Sequence, residues 1–294
     1  MAKLMWDKTG ERTYETGVDH GVLYEIDEAG EYANGFVWNG LTTVTESPSG
    51  AEASPQYADN IKYLNLVSIE QFGATIEAFT YPAEFEKYDG NATPTPGVSI
   101  GQQNRKPFGF CYRTKRGNDV EGNEFGYKLH LVYGCLAAPS EKAFATINDS
   151  PEAITFSWEL TTNPVQVGEI DGVEYAPTAS ITVDSTKTDP AKLAILEAQL
   201  YGTVSEDASM PLPADVIAML STTLVSATPT EPAYNSGTHT ITIPAVTGVR
   251  YTINGEDVAA GALVIAEDTV VKAYPVTGYK FPAVGDDDWY YDFV

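Results

Sequence analysis

Histidine occurs three times in this 294-residue chain and cysteine twice, too sparsely for most of the chemistry those side chains serve. Two cysteines, Cys111 and Cys135, cannot form a disulfide framework. No HExxH, CxxC, GxSxG or phosphate-loop pattern is present. Basic residues are scarce too: 17 against 41 acids, a formal net charge of −24. Binding DNA by neutralising phosphates needs clustered Lys and Arg, so that function is excluded, though DNA can pass nearby without sticking. Such a charge also keeps a protein soluble at high concentration. Long apolar runs are missing as well; none approaches the roughly 18 residues of a spanning helix. The opening stretch "MAKLMWDKTGERTY" has no apolar run of signal-peptide length. The expectation is a soluble protein made and kept in a cytoplasm.

What is abundant is β-branched, aromatic and turn-forming. Hydrophobic residues make up 43%, enough for a folded core, and the length suits two domains. Gly21–Ile26, Gly35–Leu41, Ile61–Ile69 and Ala74–Pro82 read as strands, as do Lys106–Thr114, Tyr127–Cys135, Ala153–Thr161 and Ala179–Ser185. Turn residues separate most of them, the pattern of an antiparallel β domain.

With Gly122–Asn123 as a hairpin tip, Phe108, Phe110 and Tyr112 share a face with Leu131, Tyr133 and Cys135. Cys111 falls on the other face with Arg113, Lys128 and His130, so no bridge between the cysteines is expected. Residues 113–126 read as a long polar projecting loop. "TDPAKLAILEAQLYG" predicts a helix with Asp189 as N-cap, Pro190 first and Gly202 as its stop. Leu193, Leu196 and Leu200 form its apolar stripe, Glu197 sits at the edge and Ile195 lies off it. Pro213–Ser221 is a second short helix. Composition shifts near Thr222, and residues 223–294 read as a small β-sandwich module of about 70 residues.

One stretch resists this pattern. "TESPSGAEASPQYADN", Thr45–Asn60, is small, polar and proline-broken, and reads as a long projecting loop. Its two prolines, Pro48 and Pro55, restrict the free chain, so less entropy is lost when it is ordered on a partner. Glu46, Glu52 and Asp59 offer charge, and Tyr57 an aromatic ring.

Catalysis has no visible seat. Asp19–His20 reads as an exposed turn pair, His130 as a sheet-surface residue and Asp286–Asp288 as a solvated acidic turn without the spacing of a calcium loop. Arg105, Lys106 and Arg113–Arg116 form a basic cluster, expected to pair with acids of this chain or a neighbour. A carboxylate enzyme such as a glycosidase would need two acids aimed into one cleft, and no pair singles itself out. No metal or cofactor is expected.

The order of "GVDHGVLY", "GFVWNGLTTVTESPSGAEASPQYADNIKYLNL", "ATIEAFTYPAEFEKYDG", "GFCYRTKRGND…YKLHLVYGC" and "LEAQLYG" closely resembles the major tail tube proteins of long, non-contractile-tailed bacteriophages, over roughly residues 1–222. The resemblance implies a β-sandwich flanked by a helix, a virion protein of the phage tail assembled in the host cytoplasm. Its copies would join into hexameric rings stacked into a tube. It implies tape-measure and terminator proteins as partners, and DNA ejected through the lumen without specific binding. The loop carrying Glu46, Pro48, Glu52, Pro55, Tyr57 and Asp59 would then be an assembly arm docking on an adjacent subunit. "HTITIPAVTGVRYTINGEDV" and "GYKFPAVGDDDWYYDF" resemble the immunoglobulin-like domains appended to tail and surface proteins. Such a domain would either touch the host envelope weakly, multiplied by copy number, or serve as a stabilising outer knob. The alternative reading of the whole chain is a surface adhesin or carbohydrate-binding β protein.

Overall fold

The computed structural model describes residues 4–293 apart from 148, 150–151, 171, 222, 277 and 283–284. Thr222, where the composition shifts, lies outside the described residues, so the 222/223 boundary stays an expectation. Among the described residues the fold is mostly β with two α-helices, and the sheets do not close into a barrel.

The first two hundred residues contribute β1 (Thr13–Ile26), β2 (Tyr32–Trp38), β3 (Leu41–Glu46), β4 (Ala53–Ala58), β5 (Ile61–Val67), β6 (Gly73–Ala78), β7 (Ala92–Thr95) and β8 (Val98–Ile100). They continue with β9 (Phe108–Asn118), β10 (Gly122–Ala137), β11 (Phe156–Thr162), β12 (Gly168–Ile170), β13 (Val173–Tyr175) and β14 (Ser180–Asp184). Eight of these form one sheet, ordered β2-β1-β9-β10-β11-β6-β3 with β14 also on β10. The branch at β10 makes the sandwich. Residues 128–132 of β10 pair with β14, whereas 135–137 pair with β11. Gly134, at φ +59, makes the switch: a Cβ there would lie 2.3 Å from the Asn163 carbonyl oxygen.

Two cores result. Leu23, Trp38, Ile76, Phe85, Phe108, Phe110, Tyr112, Val132 and Trp158 pack inside the curled sheet. Tyr24, Cys111, Leu129, Leu131 and Tyr133 face outward and are covered by α1 (Pro190–Tyr201) and α2 (Pro213–Ser221). Helix α1 is as its sequence dictates. Asp189 accepts a hydrogen bond from Ala191 N at 2.9 Å, Gly202 ends it at φ +77, and Leu193, Leu196 and Leu200 are its buried residues. Glu197 accepts from Tyr127 OH at 2.8 Å.

The expected register of β9 on β10 is corrected. The turn centres near Val120: Asn118 pairs with Gly122, and its Oδ1 accepts from Val120 N and Glu121 N. Residues 113–126 are therefore mostly paired strand, and no long loop projects. The shift sends Leu131 and Tyr133 to the helix side with Cys111. The extra residue at Gly134 returns Cys135 to the inner side with Phe108. The two cysteines still point apart, and both are free and buried.

Beyond α2 come β15 (Val225–Ser226), β16 (Ala233–Asn235), β17 (Thr240–Ile243), β18 (Val249–Ile253), β19 (Glu256–Val258), β20 (Gly261–Val264), β21 (Thr269–Pro275), β22 (Tyr279–Lys280) and β23 (Asp288–Tyr291). A three-stranded sheet, β16-β17-β20, and a four-stranded one, β19-β18-β21-β23, enclose Ile241, Ile243, Tyr251, Val271 and Ala273. Every member of this core lies between residues 234 and 291.

Candidate functional site

The stretch after Glu46 is ordered backbone. Ser47 N donates to the Gly73 carbonyl at 2.8 Å, and Ser49 and Gln71 exchange hydrogen bonds at 2.8 and 2.7 Å. These bonds carry the β3–β6 ladder past the last packed residues. Gly50 follows at φ +84, where a Cβ would lie 2.4 Å from the Ile69 carbonyl oxygen. Then β4 and β5 pair antiparallel from Ala53–Val67 to Ala58–Ile61, with a register shift at Gln56/Tyr57. Asp59 and Asn60, at φ +49 and +64, close the pair as a two-residue turn. Two positive φ values in succession match the twist of a hairpin, and Asp and Asn tolerate them.

The expected irregular loop is thus the first half of a β-hairpin arm, and the strand expected at Ile61–Ile69 is its second half, β5. Every residue of β4 and β5 is exposed. Tyr57, Ile61, Tyr63, Leu64, Leu66, Val67 and Ile69 are all exposed large apolar side chains, Tyr57 at 71% and Ile69 at 87%. They lie on both faces of the ribbon: Ile61, Tyr63 and Val67 alternate with Leu64 and Leu66 along β5. An isolated two-stranded ribbon is at best marginally stable in water, and exposed apolar patches on monomers are usually small. Both long edges also offer unpaired backbone groups.

The residues singled out from sequence divide along this arm. Pro48 lies exposed at its root, and Glu52 precedes β4. Pro55 sits in β4 opposite Asn65, where no third strand requires its missing N–H, and Tyr57 sits opposite Lys62. Asp59 is a turn residue. Glu46 belongs to a different group, at the point where the arm leaves the sandwich. Its Oε1 accepts a hydrogen bond from Tyr112 OH at 2.6 Å and lies 3.3 Å from His130 Nδ1. The imidazole stacks on the Tyr112 ring at 4.5 Å and 3°, and its Nε2 meets Thr114 Oγ1 at 2.9 Å. The hydrogen bond to His130, helped by that from Tyr112, holds the Glu46 carboxyl below its ordinary range despite partial burial. Burial and the neighbouring Glu46 push the Tyr112 phenol well up. His130 is therefore a buried clasp residue, correcting the sheet-surface expectation.

The basic residues are mostly consumed internally. Arg113 forks onto Asp19, Nε–Oδ1 2.7 Å and Nη2–Oδ2 3.0 Å, and lies over the Tyr127 ring at 4.9 Å. It shares the helix side, so the expected Arg113–Lys128–His130 face does not exist. Arg116 pairs with Asp184 and Lys128 with Glu15. Asp19–His20 sits at a bulge within β1, with His20 at φ +52, instead of in a free turn. Asp19 is bound to Arg113, which lowers its pKa. Among the described residues no group of three or more His, Cys, Asp or Glu side chains is placed to hold a metal ion.

The strand at Ile61–Ile69 was legible in the sequence, but its exposure was not, because apolar residues alone do not show whether a strand is covered. Two features signal the arm: Asp59–Asn60 as a two-residue turn, and apolar side chains at both parities without a partner strand. No protein-family profile matches the sequence, and no curated protein matches it.

Proposed function

We propose that this chain is a self-assembling structural subunit of the tail-tube kind, whose copies join into rings that stack into a hollow conduit for DNA. The observation that carries this reading is the β4–β5 arm. Six large apolar side chains stand exposed on the ribbon, Ile69 adds a seventh at its root, and no residue of β4 or β5 is buried. Such a ribbon gains by docking on a second copy, which covers its faces and supplies partners for its edges. The two shorter exposed hairpins, β7–β8 and β12–β13, add contact surface of the same type. A net charge of −24 supports a conduit that repels phosphates, letting DNA slide. The separate core at residues 234–291 supports an appended outer module.

Negative-stain electron microscopy of the purified full chain tests the proposal. Six-fold rings or long hollow tubes are expected, and their loss when the arm is removed. A discrete monomer at every concentration, or unchanged assembly without the arm, would sink it.

A further inference from the structure

A polar cavity of about 420 Å³ opens beside the short helix Ala83–Lys87, away from the arm. At its wall the buried Asp89 carboxylate is shared by two cations: Arg105 Nη1 lies 3.2 Å from Oδ1 and Lys142 Nζ 2.5 Å from Oδ2. Both carboxylate oxygens are thereby engaged, and the trio carries one net positive charge inside a strongly acidic protein.

The donors here outnumber the acceptors. Arg105 Nη1 serves Asp89 and the Ala137 carbonyl at 3.1 Å, with the Tyr88 and Ala138 carbonyls further out at 3.5 Å. Its Nε and Nη2 have no acceptor among the described residues, although the side chain is only 22% exposed. That guanidinium edge runs over Gly90, where a Cβ would lie 3.2 Å from Nε and 3.3 Å from Nη2. Glycine at this place leaves the edge open. Ser140 also lines the cavity, and its Oγ is buried without a hydrogen-bond partner. Asn91 and Gln103 complete a polar wall.

We infer that this cavity is an oxyanion site that takes a carboxylate. The Nε–Nη2 edge of a guanidinium presents parallel N–H donors whose spacing matches the two oxygens of a carboxylate, and such forked pairs are the strong ones. Lys142 adds charge and Ser140 a third donor. Ser140 Oγ is a buried donor without a partner, and such a donor is costly, so an acceptor within its reach removes a penalty as well as adding a bond. The carboxylate comes either from a free small acid or from an acidic side chain of a second copy. The site itself stands whether or not the chain assembles.

Equilibrium dialysis of the full chain against labelled acetate at fixed ionic strength tests it. One saturable acetate site per chain is expected. Lys142→Met should weaken it at least tenfold and Ser140→Ala several-fold, with unfolding temperatures confirming that both variants fold. No saturable binding to the unaltered protein overturns the inference, as does saturable binding of inorganic phosphate without acetate binding. Unchanged affinity in folded Lys142→Met overturns it equally. In assembled particles, loss of the acetate site identifies a neighbour's carboxylate as the occupant, and its retention identifies a free acid; either result supports the site.

Discussion

Glu46 and Tyr112 are joined across the sandwich by a 2.6 Å hydrogen bond from the phenol to the carboxylate. Glu46 ends β3, the strand that launches the arm, and Tyr112 belongs to β9 at the centre of the opposite layer. With His130 stacked on Tyr112 and 3.3 Å from the same carboxylate oxygen, the root of the arm is fastened to the sheet that carries the helices. The arm can therefore project freely while its origin stays fixed.

This clasp makes a pH-dependent contribution. The folded-state pKa of Glu46 lies below its ordinary value of 4.5, chiefly through His130. Its stabilising effect is therefore present above pH 4.5 and is lost as pH falls through the lower folded-state pKa. Glu46→Gln should cost about 1 kcal/mol at pH 7, kept small because the carboxylate is partly solvated. It should also remove the corresponding acid-side loss. Urea unfolding of both proteins at pH 7 and near pH 3 checks this: the difference should shrink on acidification.

Removing residues 51–69 and joining the ends with a short Gly-Ser linker takes away the ribbon but leaves the Ser49–Gln71 pair. No residue of β4 or β5 is buried, so the truncated subunit should unfold within about 0.5 kcal/mol of the full chain. It should fail to form rings or tubes. A cut over residues 45–58, within the stretch that the sequence reads as a loop, is a different experiment. It removes Glu46 from the clasp and leaves β5 unpaired, and it should yield aggregated protein. Size-exclusion chromatography of the two deletions distinguishes these outcomes.

Gly134→Ala should be severely destabilising, by about 3 kcal/mol or more. The position combines φ +59 with a Cβ site 2.3 Å from the Asn163 carbonyl oxygen, which is backbone and cannot swing away. Because β10 passes from one layer to the other at this residue, the loss should appear as cooperative unfolding of both cores. Denaturant curves followed by tryptophan fluorescence report the inner core through Trp38 and Trp158.

The sequence was most legible where local chemistry decides the structure. Asp189, Pro190 and Gly202 delimit α1 because capping and backbone restriction act within a few residues. Asn254–Gly255 turns β18 into β19 for the same reason, with φ +50 and +92. It was least legible where a remote partner decides. The β9–β10 register depends on whether the turn lies at Val120 or at Gly122–Asn123. Residues such as Arg113 and Lys115 look like loop but extend the ladder, paired with β1 and β10. The placement of Cys135 was reached through two offsets that cancel, the shifted turn and the Gly134 bulge. Tyr57, Tyr63 and Leu66 show the same limit at the arm. Their composition demands burial, but nothing among the described residues supplies it.

The thiols give a final check on the two-layer arrangement. Cys111 lies under the helices and Cys135 in the inner core, both fully enclosed. Burial pushes the Cys111 thiol up to about 12, and raises that of Cys135 by the same cause. The thiolate is the reactive form, so neither should react with a thiol reagent such as dithionitrobenzoate in the native protein at pH 8. In denaturant both should react, giving two equivalents per chain. Because the residues occupy opposite faces of the sheet, mild oxidation of the folded protein should leave both thiols free. Rapid native-state labelling of Cys111 alone would show that α1 and α2 lift from the sheet. Labelling of both at one rate would instead report global unfolding, and its dependence on denaturant would separate the two routes.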